Sequence, residues 1–378
     1  MSQNKLNPNE DKIKYMIEFI LKARDTYKAD SSSSSSKRGA LVIGLSGPQG
    51  CGKTTICRDL VDELTKLGYK AITFSTDDVY IGYQDQLNNA TKYPNNRLVE
   101  FRGNAGTVDV ALAVETLTLL REGQAAKIPK FEKSLNAGRG DRLPVSQWPE
   151  VEAGVDFVLF EGWNLGFMPV SEAKVERIWA AIEQNGNEQL AVTAVGSSSS
   201  DVTVGSELNN GYYASRKYSL RELQLINALI REHLKFYALV DAFIYIRAQS
   251  LDYVYEWRWQ QEQALAARLS AAGAVAAGDG ASASASASAS ASASSGTLTK
   301  QQVIDFVDRF MPCYEINGAE LALNGYVTSA NRTGAAANAD ADSDFCSEIS
   351  KVEKNPKFSQ ISFVLDSSRN VIGSPVIL

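Results

Sequence analysis

A doubly wound α/β fold, with a mostly parallel sheet and helices on both faces, is what this sequence predicts. Three observations predict it. Short continuous apolar runs, Ala40–Leu45 and Val155–Phe160, read as strands buried on both faces. Segments with apolar residues at helical spacing alternate with such runs. A glycine-rich turn, Gly47-Pro48-Gln49-Gly50-Cys51-Gly52-Lys53-Thr54, joins the first strand to a helix.

Each element follows in order. Ile13, Met16, Ile17, Ile20 and Ala23 share one face of a helix over Asp11–Tyr27. After the strand and turn comes a helix over Thr55–Leu67, capped by Gly68, and then a β-rich run over Tyr69–Ser75. A polar stretch extends to Arg97, and Ala111–Arg121 is a helix. Leu220–Leu239 reads as a long helix, Ala242–Ile246 as a buried strand, Leu251–Leu269 as a charged helix rich in aromatics, and Ile361–Leu365 as the final strand. Low-complexity stretches near 31–36, 196–206, 272–296 and 331–345 carry side chains too small or polar to offset chain ordering. They read as disordered insertions in surface loops of a single domain over residues 1–378, not as domain boundaries.

Composition excludes several classes. The chain has 378 residues, 44% of them hydrophobic, which is ample for a core. A net charge of −6 without a basic stripe argues against nucleic acid as a partner. Cys51, Cys57, Cys313 and Cys346 lack metal-type spacing and imply a reducing compartment; with no membrane-length apolar run and no leader-like N-terminus, the cytoplasm is the expectation. His233 is the one histidine, so neither a Ser-His-Asp triad nor a multi-histidine zinc site has support; it reads as an ordinary helix residue.

The turn fits the phosphate-binding P-loop pattern, which makes the fold P-loop NTPase-like. Strand, turn and helix N-terminus aim the backbone N–H groups of Gly47, Gly50, Cys51, Gly52, Lys53, Thr54 and Thr55 at one anion, where the helix dipole also favours negative charge. Lys53 then reaches the β- and γ-phosphates of ATP, and Thr54 holds Mg²⁺. Cys51, near a helix N-terminus, is expected to favour its thiolate, so that oxidation would block ATP.

Phosphoryl transfer also needs a metal carboxylate, a group that orients the hydroxyl, and positive charge on the moving phosphoryl. Glu161 directly follows a buried strand, which places it at the sheet's carboxyl edge as a metal ligand or as a solvated acid. Asp77 and Asp78 end the second strand on that edge; one is either a base or a turn residue. Arg102, Lys133, Arg139 and Arg142 lie in glycine-containing loops suited to gripping carboxylate or phosphate, although each alone is equally well a solvated loop residue. In Trp257-Arg258-Trp259 the aromatic faces read as packing.

Beyond the loop, the chain carries Ser75-Thr76-Asp77-Asp78-Val79-Tyr80, Arg102-Gly103-Asn104-Ala105-Gly106-Thr107-Val108-Asp109, Lys133-Ser134 with Gly138-Arg139-Gly140-Asp141-Arg142, and Glu161-Gly162-Trp163-Asn164-Leu165-Gly166-Phe167. Further on come Tyr253-Val254-Tyr255-Glu256-Trp257-Arg258 with Gln260-Gln261-Glu262, and Phe306–Tyr314. In this order and over most of the chain, these motifs resemble the D-glycerate 3-kinase family, the plant-type enzymes and their fungal relatives, distant kin of uridine kinase, phosphoribulokinase and pantothenate kinase. The resemblance implies Mg-ATP-dependent phosphorylation of the 3-hydroxyl of D-glycerate, with Asp77 as base. It also implies that Asp78, Tyr80, Arg102, Asp109, Lys133, Arg142 and Arg258 shape the substrate site.

Two positions depart from the family pattern. Val108 stands where a histidine usually precedes the aspartate, and Glu132-Lys133-Ser134 replaces Asp-Lys-Ser or Asn-Lys-Ser. Both bear on the acceptor. The alternatives are a kinase of another hydroxylated acceptor, such as a nucleoside or sugar acid, and an ATP-binding regulatory protein without turnover.

Overall fold

The computed structural model describes residues 12–31, 39–184, 214–276, 297–326 and 359–377. Strand β1 (Leu41–Ser46) lies at the centre, with β2 (Ala71–Ser75), β3 (Phe157–Gly162), β4 (Ala242–Ala248), β5 (Ser359–Leu365) and β6 (Val371–Ile377) in the order β6-β5-β4-β1-β3-β2. All neighbours pair in parallel except β6, which is antiparallel to β5. Between β1 and its neighbours the chain order reverses, and the carboxyl ends of β1 and β3 form a topological switch point.

The continuous apolar runs have a simple origin. Leu41, Ile43 and Leu45 of β1 face one core while Ala40 and Val42 face the other, so each strand must be apolar on both sides. Helices α1 (Lys12–Ser31) and α2 (Lys53–Lys66) cover the first face through Met16, Ile20, Ile56, Leu60 and Leu64. The second face carries α4 (Val110–Arg121) and α6 (Leu220–Tyr237), among others. Elsewhere α3 covers Tyr83–Lys92, α5 Glu172–Gln184, α7 Asp252–Ala276 and α8 Lys300–Asp308. No helix of the described residues is long and apolar enough to cross a membrane.

Several boundaries differ from the sequence expectation. The first helix runs on to Ser31, and α7 continues to Ala276, into the range read as insertion from 272. The rest of that range, residues 32–36, and the stretches 196–206 and 331–345 lie outside the described residues. The polar stretch before Arg97 contains α3, which buries only Gln86 and so lacks an apolar stripe. Ile361–Leu365 is not the last strand, because the turn Asp366–Asn370 returns the chain as β6. His233 is a buried core residue; burial pushes its imidazole down to about 4.

After α8, Met311–Cys313 leads into a π-helical turn over Tyr314–Gly318. Such turns displace side chains from their helical positions. Here Glu315 accepts from the backbone N–H groups of Ala214 at 2.9 Å and Ser215 at 3.0 Å, and from the Ser215 hydroxyl. Burial nevertheless pushes its carboxyl up to about 7. Because the folded value is raised, the folded chain holds a proton that the unfolded chain releases. This contribution is therefore fully present below the unfolded value and lost as pH rises to about 7. Stability should fall over that window by an amount on the order of 3 kcal/mol from this group. Urea unfolding of wild type and Glu315→Gln at pH values across the window checks this; identical pH slopes in the two proteins refute it.

Candidate active site

The phosphate loop owes its shape to two glycines. Gly52 is the N-cap of α2 at φ 94° and supplies no side-chain cap, so the N–H groups of the first turn remain available to a ligand. Gly50, at φ 81°, packs so tightly that a Cβ there would lie 2.5 Å from the Cβ of Trp257. The loop is braced from outside: Arg369 Nε donates to the Gly50 carbonyl at 2.7 Å, and the Gln49 N–H donates to the Tyr314 hydroxyl at 3.2 Å. Trp257 is fastened in turn by its indole N–H to the Ser367 carbonyl at 2.7 Å.

Lys53 donates to the carbonyls of Gly47 at 2.7 Å and Pro48 at 3.1 Å, which holds its ammonium across the loop mouth. Thr54 and Thr55 are exposed in the first helical turn. Cys51 corrects the sequence expectation of a favoured thiolate. It is buried beneath the loop, and burial pushes its thiol up, with Lys53 opposing. Helix proximity is outweighed by loss of solvent.

Glu161 lies inside β3, not after it, paired with Leu45 of β1 and Ser75 of β2. Burial raises its carboxyl above the ordinary value, with Lys53 as the main opposing charge. Asp77 and Asp78 fall in a 3₁₀ turn over Thr76–Val79 rather than in β2. Their roles divide. Asp78 closes a capping box with Ser75 and pairs with Lys130 at 2.9 Å, so it holds the turn. Asp77 accepts from the Tyr80 hydroxyl at 2.6 Å and from Lys133 Nζ at 2.5 Å. Burial pushes Asp77 up, but Lys133, Tyr80 and Lys53 together outweigh it and hold the carboxyl below its ordinary value. Lys133 is raised in return, chiefly by the charge of Asp77.

The remaining residues sort by contact. Arg102 donates to the Gly138 carbonyl at 2.5 Å and lies close enough to Asp77 and Tyr80 to feel their charge. Asp109 caps α4 by accepting from Leu112 N–H at 3.0 Å, and also pairs with Arg142 at 3.0 Å. Arg142 donates to the Tyr80 carbonyl at 2.8 Å and so fixes the backbone behind that phenol. Arg258 is held apart from this group of contacts: it pairs with Glu262 at 2.7 Å and lies 5.2 Å over Phe306. Val108 packs into the core next to Asp109, forming a backbone bridge with Tyr80.

Among the described residues, no group of three or more His, Cys, Asp or Glu side chains could hold a metal by itself. The donor set that does exist, the Thr54 hydroxyl and the Glu161 carboxylate, consists of hard oxygens. It fits Mg²⁺, which binds through one or two protein oxygens and completes its shell with water and substrate phosphates. The half-buried carboxyl of Glu161, whose charge is opposed by partial loss of solvent, is a position where such a cation would relieve that cost.

A cleft open to solvent flanks Gly47 and Pro48, with about 70 Å³ reachable by the centre of a water molecule. Its walls include Trp163, Phe167, Tyr245, Leu251 and Tyr314, so it suits a flat ring or an apolar part of a ligand. Those rings belong to the core on the face opposite α2. Sequence reasoning assigned no role to Tyr314, Arg369 or this cleft, because their connection to the loop exists only in three dimensions.

The chain is similar to several known proteins. Residues 42–170 match the model of the phosphoribulokinase/uridine kinase family. Over 149 residues the chain is 46% identical to D-glycerate 3-kinase, chloroplastic, of Arabidopsis thaliana, which covers 38% of this chain and 32% of that protein. Over 169 residues it is 33% identical to the probable ATP-dependent kinase TDA10 of Saccharomyces cerevisiae, covering 42% and 57%. The matched part thus spans about a third to somewhat over half the length of these curated relatives. Among solved structures, D-glycerate 3-kinase from Cryptococcus neoformans superposes with a TM-score of 0.67 at 26% identity, over 97% of this chain and 99% of that one. The YGR205w protein gives 0.60 at 23% identity, over 97% of each chain, a likeness of fold.

Proposed function

We propose that this chain, similar in sequence and fold to the D-glycerate 3-kinases, is an ATP-dependent kinase that phosphorylates D-glycerate to 3-phosphoglycerate. One observation carries the reading: Glu161 pairs with Leu45, two residues before the phosphate loop, and with Ser75, the N-cap of the turn that holds Asp77, so loop and carboxylates share one edge of the sheet. The similarity to proteins named D-glycerate 3-kinase supports the acceptor.

The residues divide the chemistry between them. The uncapped first turn of α2 and Lys53 bind the phosphates of ATP and hold the γ-phosphoryl in place. Thr54 and Glu161 would hold Mg²⁺, which when bound neutralises phosphate charge. Asp77 orients the attacking hydroxyl and accepts its proton at a carboxylate oxygen, while Tyr80 fixes the carboxylate through its other oxygen. The transition state is loose, so the hydroxyl proton leaves late and a weakly basic carboxylate suffices. Lys133 and Arg102 stand where positive charge can steady the moving phosphoryl or an anionic acceptor. We place the protein in the cytoplasm, a reading supported by Cys51, Cys57 and Cys313, which are buried thiols outside any disulfide.

Purified protein incubated with Mg-ATP and D-glycerate should form 3-phosphoglycerate, and Lys53→Ala should not. Val108 favours one further arm, because it brings an apolar side chain to a position where the family has histidine. Sugar acids and nucleosides are therefore tested in parallel. Product from one of these but not from D-glycerate would replace the acceptor; no product above the Lys53→Ala control with any of them would refute the kinase reading.

A further inference from the structure

Two guanidinium groups lie over the ring of Phe101, Arg139 at 4.2 Å and Arg309 at 4.6 Å from its centroid. Their situations differ. Arg139 has the Glu100 carboxylate at 3.7 Å. Among the described residues, the Arg309 guanidinium has no ion pair and no hydrogen bond; its neighbours are rings, Phe101, Phe306 at 5.1 Å and Phe310 at 5.9 Å. The carboxylate adjacent to it in sequence, Asp308, is committed to Lys217 at 2.5 Å and to the Tyr255 hydroxyl at 2.7 Å.

Cations crowd this place. Burial lowers Arg309 to about 10, an effect to which Arg97 and Arg102 add and which Tyr218 and Glu100 oppose. A half-buried arginine held against aromatic faces, with like charges near and no carboxylate of its own, is costly unless an anion completes it. The same stacking orients the planar fork and strips water from it, which strengthens a two-pronged grip on a carboxylate. Arg102 connects this cluster to the reacting end: it directly follows Phe101 and lies 5.6 Å over Phe131, whose ring meets that of Tyr80 edge-on at 5.5 Å, and Tyr80 donates to Asp77 at 2.6 Å. A short hydroxy acid has its hydroxyl and its carboxylate only a few bonds apart. An acceptor with its hydroxyl at Asp77 would therefore turn its charged end toward Arg102 and Arg309.

We infer that Arg309, together with Arg102, forms the subsite that binds the carboxylate of the acceptor and so determines that this kinase takes hydroxy acids rather than neutral polyols. This rests on the kinase reading above. Steady-state kinetics of wild type, Arg309→Met and Arg309→Lys with D-glycerate and with glycerol, its counterpart lacking the carboxylate, test it. Arg309→Met should raise KM for D-glycerate at least about tenfold, leave KM for ATP within about twofold, and shrink the preference for D-glycerate over glycerol by the same factor as the rise. Arg309→Lys keeps the charge without the fork and should fall between wild type and Arg309→Met. If Arg309→Met does not fold, a several-fold rise in Arg309→Lys, again confined to D-glycerate, carries the test. A merely structural role would raise KM for ATP and depress glycerol turnover alongside. That pattern, or an unchanged preference in the folded variants, overturns the inference while wild-type activity stands. A wild type that turns over neither D-glycerate nor any other acceptor refutes the kinase reading itself, and one that turns over only acceptors without a carboxylate overturns the inference.

Discussion

Asp77→Asn should lower kcat about 1000-fold and leave KM for ATP within about twofold. The carboxylate stands on a 3₁₀ turn, where Tyr80 and Lys133 take one oxygen each, so its position is set before any acceptor arrives. Asparagine keeps the shape but accepts no proton and no longer attracts Lys133. The sign of the pH effect follows from the same contacts. Although burial pushes Asp77 up, the net effect of Lys133, Tyr80 and Lys53 depresses it, so the residue stays ionised throughout the neutral range. Its contribution to rate should be lost only as pH falls below the ordinary carboxylate range. Rate profiles of both proteins settle the matter: a variant with wild-type kcat removes Asp77 as the base.

Glu161→Gln should reduce activity at least about 100-fold at ordinary magnesium concentrations, with partial recovery when magnesium is raised. Half-buried in β3 between Leu45 and Ser75, this carboxylate is displaced in the opposite direction to Asp77. A proton therefore competes for it at higher pH than for an exposed glutamate. The magnesium requirement of wild type should tighten as pH rises through that raised value, and the requirement of Glu161→Gln should not vary there. Magnesium titrations at several pH values provide the check. Equal magnesium dependence in the two proteins would remove Glu161 from the metal site.

Sequence read the parts of this molecule that are local. The P-loop declared itself because a strand, a fixed glycine pattern and a helix stand next to each other in the chain. The doubly apolar strands β1 and β3 were legible for a similar reason, since burial on both faces leaves no polar alternation to misread. What escaped depended on distant partners. Nothing beside Cys51 in sequence announces that its thiol turns under the loop, and although Phe306 and Phe310 stand close to Arg309 in sequence, nothing there announces that Phe101 comes to lie under the same guanidinium. The turn and cap chemistry of Asp78 and Asp109 was visible as residue type, yet separating it from catalysis required seeing Lys130 and Arg142 arrive. Strand β6 was missed because it is an edge strand, short of buried residues and exposed along much of its length.

The brace from Arg369 to Gly50 spans 319 positions of the chain. During synthesis the phosphate loop emerges long before the residues that clamp it. Until then the nascent polypeptide carries a loop sequence without its finished grip on nucleotide. The proposed activity is thereby tied to synthesis as far as Arg369, and a product that stops short of Ser367 would lack the clamp even with every residue from Gly47 to Thr55 in place.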